Sequence, residues 1–198
     1  MSSGIVLNVR TNFPAVVAQL NQVSDDIGNK AMVRSLNTTI EQGKTQMARQ
    51  ISQEFRISVS KAKDRLEVSK ASVKGGALRF EAFLEATKRG QGRSMNMIAF
   101  VGTLPRRTKK GKLSQVKFQV KRGGGKKILP GAFIGNKDRT MFIRTGNARL
   151  PIVPVNTIGV PSMFNTKRIN AAVRKVMLER FEQNFTRELR VILGGFLK

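Results

Sequence analysis

The chain has 198 residues, with 37 Lys and Arg against 12 Asp and Glu, a formal net charge of +25, and neither Cys nor His. The missing residue types exclude disulfide frameworks, thiolate and imidazole metal sites, and Ser-His or Cys-His nucleophile pairs. A charge of this size repels itself within a compact monomer, so a polyanion or acidic protein surfaces are expected beside it.

Length and a hydrophobic content of 40% suit one domain over residues 1–198. No run of roughly 18 apolar residues is present, so no membrane span or membrane partner is expected. Met1 to Phe13 has no charged segment followed by an apolar stretch and does not read as a signal peptide. The expected place of work is the cytosol, or a particle assembled there.

Residues 1–67 read as helical. Val16, Val17, Leu20, Val23 and Ile27 recur at three- and four-residue spacing after Pro14, and Gly28-Asn29 is the expected break. A longer helix follows, with Val33, Leu36, Ile40, Met47, Ile51 and Phe55 on one face and Asn37, Thr38, Glu41, Lys44 and Thr45 on the other. Gly43 weakens it without ending it. Ser60 is the expected cap of a short third helix that turns Ala62 and Leu66 inward.

Residues 68–160 read as a mainly antiparallel sheet with basic loops. Leu78, Phe80, Ala82, Leu84 and Ala86 alternate with polar residues, Phe83 being the exception. Met95 to Val101 is a second strand, and Val116, Phe118 and Val120 mark a third; Met141-Phe142-Ile143 and Ile152 to Val155 are shorter pieces. Gly123-Gly124-Gly125, Gly146-Asn147 and the prolines mark turns. Residues 161–198 return to helix, capped by Asn165 or Thr166, striped by Ile169, Val173, Val176, Phe181, Phe185, Leu189 and Ile192, and ended by Gly194-Gly195. Helices, then strands, then one helix give an α+β fold rather than parallel βαβ units.

The charge is concentrated in the middle. No acidic residue lies between Glu85 and Asp138. Arg106, Arg107, Lys109, Lys110 and Lys112 form one basic cluster, and Lys121, Arg122, Lys126 and Lys127 form another beside the triple glycine. Both read as mobile loops that face either DNA or an acidic protein partner. Non-specific phosphate attraction and protein docking are equally open on sequence, because no zinc-finger spacing, no RNP-type aromatic motif and no Tyr or Trp platform is present to read bases.

No catalytic, cofactor or metal site emerges. The carboxylates lie mostly on predicted helices among lysines and arginines, where surface pairing accounts for them. Gly123 to Lys127 lacks the spacing and the hydroxyl of a phosphate-binding loop, since Ile128 stands where Ser or Thr is needed. No cofactor is expected, and the chain reads as a non-enzyme.

From residue 128 onward the order of short motifs is distinctive. Ile128-Leu129-Pro130-Gly131-Ala132-Phe133-Ile134 is followed by a turn and a strand, then Leu150-Pro151-Ile152-Val153-Pro154-Val155, then Ile158-Gly159-Val160-Pro161-Ser162-Met163-Phe164 and the charged terminal helix. This arrangement resembles the minor tail protein Z family of long-tailed phages and prophages, with its PGAF-like element, proline-flanked strand, VP turn and terminal helix. Pro130, Gly131, Ala132, Phe133, Pro151 and Pro161 are then structural motif residues: a turn pair, a return to the core, and strand and helix boundaries. The resemblance implies a virion protein that completes the head-proximal end of the tail. Its implied partners are other tail or neck proteins, such as the tail terminator and tail tube, and its implied state is a homo-oligomeric ring, sixfold about the tail axis. A free, non-specific nucleic-acid-binding protein is the alternative that charge and size favour.

Overall fold

A computed structural model describes residues 4–8, 25–74, 77–86, 94–105 and 114–196. In chain order, β1 (Gly4–Asn8) precedes α1 (Asp25–Glu54) and the short α2 (Val59–Lys63). The strands β2 (Glu67–Ser69), β3 (Ser72–Lys74), β4 (Ala77–Arg79), β5 (Glu81–Glu85) and β6 (Ser94–Asn96) follow, and β6 runs into a 3-10 turn at Met97–Phe100. Next come β7 (Lys117–Phe118), β8 (Lys127–Ile128), β9 (Phe133–Gly135), β10 (Thr140–Arg144), β11 (Ile152–Pro154) and β12 (Asn156–Ile158). The chain closes with α3 (Val160–Phe164) and α4 (Lys167–Phe196). The fold is α+β, as the segregation of patterns predicts.

Two 30-residue helices form the frame. At 1.5 Å per residue each spans roughly 45 Å. They lie antiparallel, because Thr39 meets Asn184, Gly43 meets Met177 and Glu54 meets Arg168. The stripe read on α1 is the buried one: Leu36, Ile40, Met47, Ile51 and Phe55 join Ile169, Val173, Met177, Phe181 and Phe185 of α4. Phe181 and Phe185, one turn apart, stack with centroids 6.1 Å apart. Gly43 sits where the helices approach: a Cβ there would lie 2.6 Å from Met177 Sδ. Only the absence of a side chain lets Met177 occupy that space. A polar contact is buried in the same seam, where Asn184 Nδ2 donates to Thr39 Oγ1 at 3.0 Å and to Gln42 Oε1 at 3.2 Å.

A three-stranded antiparallel sheet, in the order β1-β5-β2, packs on α1. Its register pairs Ile5 and Val68 with Leu84, and Ala82 and Leu84 of β5 point into the core. A second sheet has the order β11-β10-β9, and three strand pairs, β6 with β12, β3 with β4, and β7 with β8, complete the β structure. Among the described residues the expected single sheet is therefore divided into five small ones.

Several boundaries differ from the sequence reading for identifiable reasons. The helix proposed over residues 16–24 lies outside the described residues. Gly28 and Asn29 do not break the chain: α1 runs through both, and Gly28 is buried. Ser58, not Ser60, caps α2, its side chain accepting from the Lys61 amide at 3.3 Å, while Leu66 is buried just past the helix. The strand at Met95 stops at Asn96, because its side chain takes the Ile98 amide and starts the 3-10 turn. The strand at Val116 to Val120 shrinks to two residues, since Val120 C=O accepts from the Arg56 amide at 2.8 Å instead of continuing a ladder. The C-terminal helix starts after Thr166, but Gly194-Gly195 does not end it: α4 runs on to Phe196. Glycine in an exposed helix costs only about 1 kcal/mol, which tertiary contacts upstream override.

Candidate interaction site

The triple-glycine segment is held more tightly than its composition suggests. It closes a hairpin between β7 and β8 that seats on the C-terminal end of α1. The Arg122 amide donates to Glu54 C=O at 2.9 Å, and Arg122 Nε donates to Ser52 C=O at 2.7 Å. These carbonyls belong to the last helical turn and have no partner within the helix, and a cation there also matches the helix dipole. Gln119 locks the other side: its Oε1 accepts from Arg56 Nη1 at 2.7 Å, and its Nε2 donates to the carbonyls of Arg122 and Gly124. Arg56 reaches Gln119 across Gly102, where a Cβ would come within 2.3 Å of Nη2. The mobile-loop expectation for residues 121–127 is thus corrected to an anchored turn. The triple glycine leads into a strand rather than a helix, so no helix N-terminus is present to cradle a phosphate.

Lys121, Arg122, Lys126 and Lys127 are all exposed on this turn. Lys126 also lines a cleft of about 390 Å³ with Arg56, Lys117 and Gln119. Arg106, Arg107, Lys109, Lys110 and Lys112 lie outside the described residues. Leu104 and Ser114 line the same cleft as Lys126.

The motif residues from 130 onward take structural roles. Ala132 N–H donates to Leu129 C=O at 3.2 Å and Gly131 has φ of 74°, which with Pro130 before it is the signature of a type II turn. Pro151 follows a cis peptide bond at the entry to β11, and Pro161 stands in the first turn of α3. The expected return of Ala132, Phe133 and Ile134 to the core is not found: all three are half-buried. Phe133 stacks on Phe142 with centroids 5.9 Å apart, and Arg144 lies over the Phe133 ring at 4.8 Å. Met141 is the residue of this sheet that is fully buried.

Two asparagine side chains tie separate segments together, Asn96 joining β10 to β6 and Asn37 joining residue 71 to α1, a role the sequence reading missed. Asn96 Oδ1 accepts from the amides of Met141 at 2.8 Å and Ile98 at 3.1 Å, and its Nδ2 donates to Met141 C=O at 3.1 Å. Asn37, read as part of a polar outer face, accepts from Ala71 N–H at 2.8 Å and donates to Ala71 C=O at 3.1 Å. In both cases the side-chain amide pairs with a backbone as another strand would.

No arrangement suited to catalysis is assembled among the described residues. A groove of about 690 Å³ between α1 and α4 is lined mainly by neutral amides and hydroxyls, and its carboxylate, Glu41, lies 3.5 Å from Lys70. Among the described residues no three His, Cys, Asp or Glu gather to hold a metal, and no helix is long and apolar enough to cross a membrane.

A search of curated proteins finds no match to the chain, and a search of solved structures finds none. The family model described as prophage minor tail protein Z (GPZ) matches residues 14–198. With nearly its whole length matched, the chain belongs to the prophage minor tail protein Z family, structural proteins of the phage tail in the virion.

Proposed function

We propose that the chain, acting as a single domain, completes the head-proximal end of the tail, so that head and tail join and DNA passes between them. The carrying observation beside family membership is the anchored basic turn, with Lys121, Lys126 and Lys127 exposed above the end of α1. Rigid placement of cations that make no ion pair among the described residues suits a fixed polyanionic or acidic neighbour. The proposed partners are the tail terminator and tail tube, with viral DNA contacted only through its phosphates. A closed ring, sixfold about the tail axis and assembled in the host cytoplasm, would also cover open sheet edges. The chain acts without catalysis, a reading supported by the absence of His and Cys and by the dispersed carboxylates.

The test replaces Arg106, Arg107, Lys109 and Lys110 with Gln, and separately Lys126 and Lys127 with Gln, then follows folding, tail completion and DNA delivery. Failed assembly assigns the cations to a protein neighbour, and normal assembly with poor delivery assigns them to DNA. Unchanged assembly and delivery overturns the role given to the basic segments. The net charge of +25 favours a second reading, a free non-specific nucleic-acid binder. That reading requires the isolated chain to bind duplex DNA with a salt slope of about 0.9 per phosphate contacted, and to be dispensable for tails.

A further inference from the structure

Both faces of the β9-β10-β11 sheet are mainly apolar. Residues directly opposite in an antiparallel pair share a face. The registers therefore place Ile134, Met141, Ile143 and Val153 on the face that carries the buried Met141, and Phe133, Gly135, Thr140, Phe142, Arg144, Ile152 and Pro154 on the other. An antiparallel sheet with one face on the body normally shows polar residues outward. Here the outward face is a row of Phe133, Phe142 and Pro154 with Ile152 beside it, and Gly135 leaves room for the Phe142 ring, which lies 3.4 Å from where its Cβ would be. Beside this row Leu150 is 65% exposed and Ile152 36%. Grouped exposed aliphatic side chains of this kind mark docking surfaces.

The surroundings of this face are cationic. Lys137, Arg139, Arg144 and Arg149 stand in the sheet and its connecting turns against the single carboxylate Asp138, and none of the four makes an ion pair among the described residues. We propose that the outward face of β9-β10-β11 docks an acidic protein surface with an apolar centre, carried by a different component of the tail; this rests on the tail role proposed above. A second copy is disfavoured by charge: it carries the same net +25 and the same cationic rim, and although Glu41, Asp64 and Glu67 line one of its grooves, Lys44 and Lys63 line it too and Lys70 pairs with Glu41. Contacts between copies therefore fall to other faces. Duplex DNA would answer the cations but leave Leu150, Ile152 and Pro154 without an apolar partner.

The probe is tails assembled without this chain, to which the purified full-length protein is added and co-sedimented over a range of salt. Leu150→Ser with Ile152→Ser removes apolar area at exposed positions, and Arg144→Gln with Arg149→Gln removes cations; circular dichroism and melting check that both fold. The expected result is about a tenfold or greater loss of affinity for the first variant, and weaker, less salt-dependent binding for the second. If the wild type fails to bind tails, the tail role itself falls. If it binds and both variants bind equally well, the docking face alone falls. A change in self-association on sedimentation with tail binding intact would assign the face to a second copy, and a loss confined to duplex DNA binding would assign it to nucleic acid; either result overturns the proposal.

Discussion

Asn96→Ala isolates the attachment of the docking sheet to β6 and its 3-10 turn. The substitution removes the acceptor of two amides and the donor to Met141 C=O, which keeps a second bond from Val155 N–H at 2.9 Å. Met141 is fully buried, so its orphaned N–H cannot turn to water, and this costs about 1–3 kcal/mol. Ile98 is half-buried, and losing its bond adds about 0.5–1.5 kcal/mol. The sum is about 1.5–4.5 kcal/mol. Met141 is the fully buried side chain of β9-β10-β11, so the loss should appear as local opening rather than global unfolding. In hydrogen exchange followed by NMR, amides of residues 133–144 should exchange roughly 10- to 1,600-fold faster at 1.4 kcal/mol per tenfold, with amides in the middle of α1 unchanged. Asn96→Asp keeps both acceptances and should recover part of the loss. Equal acceleration in α1 and β10 would show that the sheet does not open separately, and no acceleration in β10 would show that the clamp carries nothing; either refutes the reasoning.

Gly43→Ala gains helix propensity of about 1 kcal/mol but drives a Cβ into Met177, an overpacking cost of about 1–3 kcal/mol. The net should be mild destabilisation in urea melts, and combination with Met177→Ala should show favourable coupling of about 1–2 kcal/mol; additive effects would discount the close approach. Asn136, Lys137 and Asp138 have φ of 53°, 52° and 62°. Lys137→Gly should relieve left-handed strain, stabilise by about 0.5–1 kcal/mol and raise Tm by roughly 2 °C. Arg122→Gln should destabilise by about 1 kcal/mol in urea melts by uncapping α1, whereas Lys126→Gln with Lys127→Gln should leave the midpoint unchanged.

The features legible in the sequence were those with a period. The stripes from Leu36 to Phe55 and from Ile169 to Phe185 are the buried ones, save that Met177 is buried where Val176 was read and Val176 is half-buried, because a long helix repeats the same instruction many times. The alternation at Ala82, Leu84 and Ala86 likewise marks the face that meets α1. Short pieces were legible only where a residue forces geometry, as Pro130-Gly131 does. What could not be read depends on partners distant in sequence. Asn96 and Asn37 look like ordinary polar residues until the backbones of Met141 and Ala71, 45 and 34 positions away, arrive beside them. Composition marked Arg122 as one more surface cation, although its neighbour at the end of α1 gives it a fixed place. Phe133 was read as core because it is aromatic, yet β9 lies at a sheet edge where only Met141 of the adjacent strand reaches the interior.

The asparagine clamps grip main-chain atoms, which every residue possesses. Asn96 holds position 141 through its N–H and C=O, and Asn37 holds position 71 in the same way. Side chains elsewhere on β9, β10 and β11 can therefore change without loosening the joint. The sheet is in effect an interchangeable fitting: its outward residues are free to drift toward whatever surface the neighbouring protein presents, while the α1–α4 frame stays as it is.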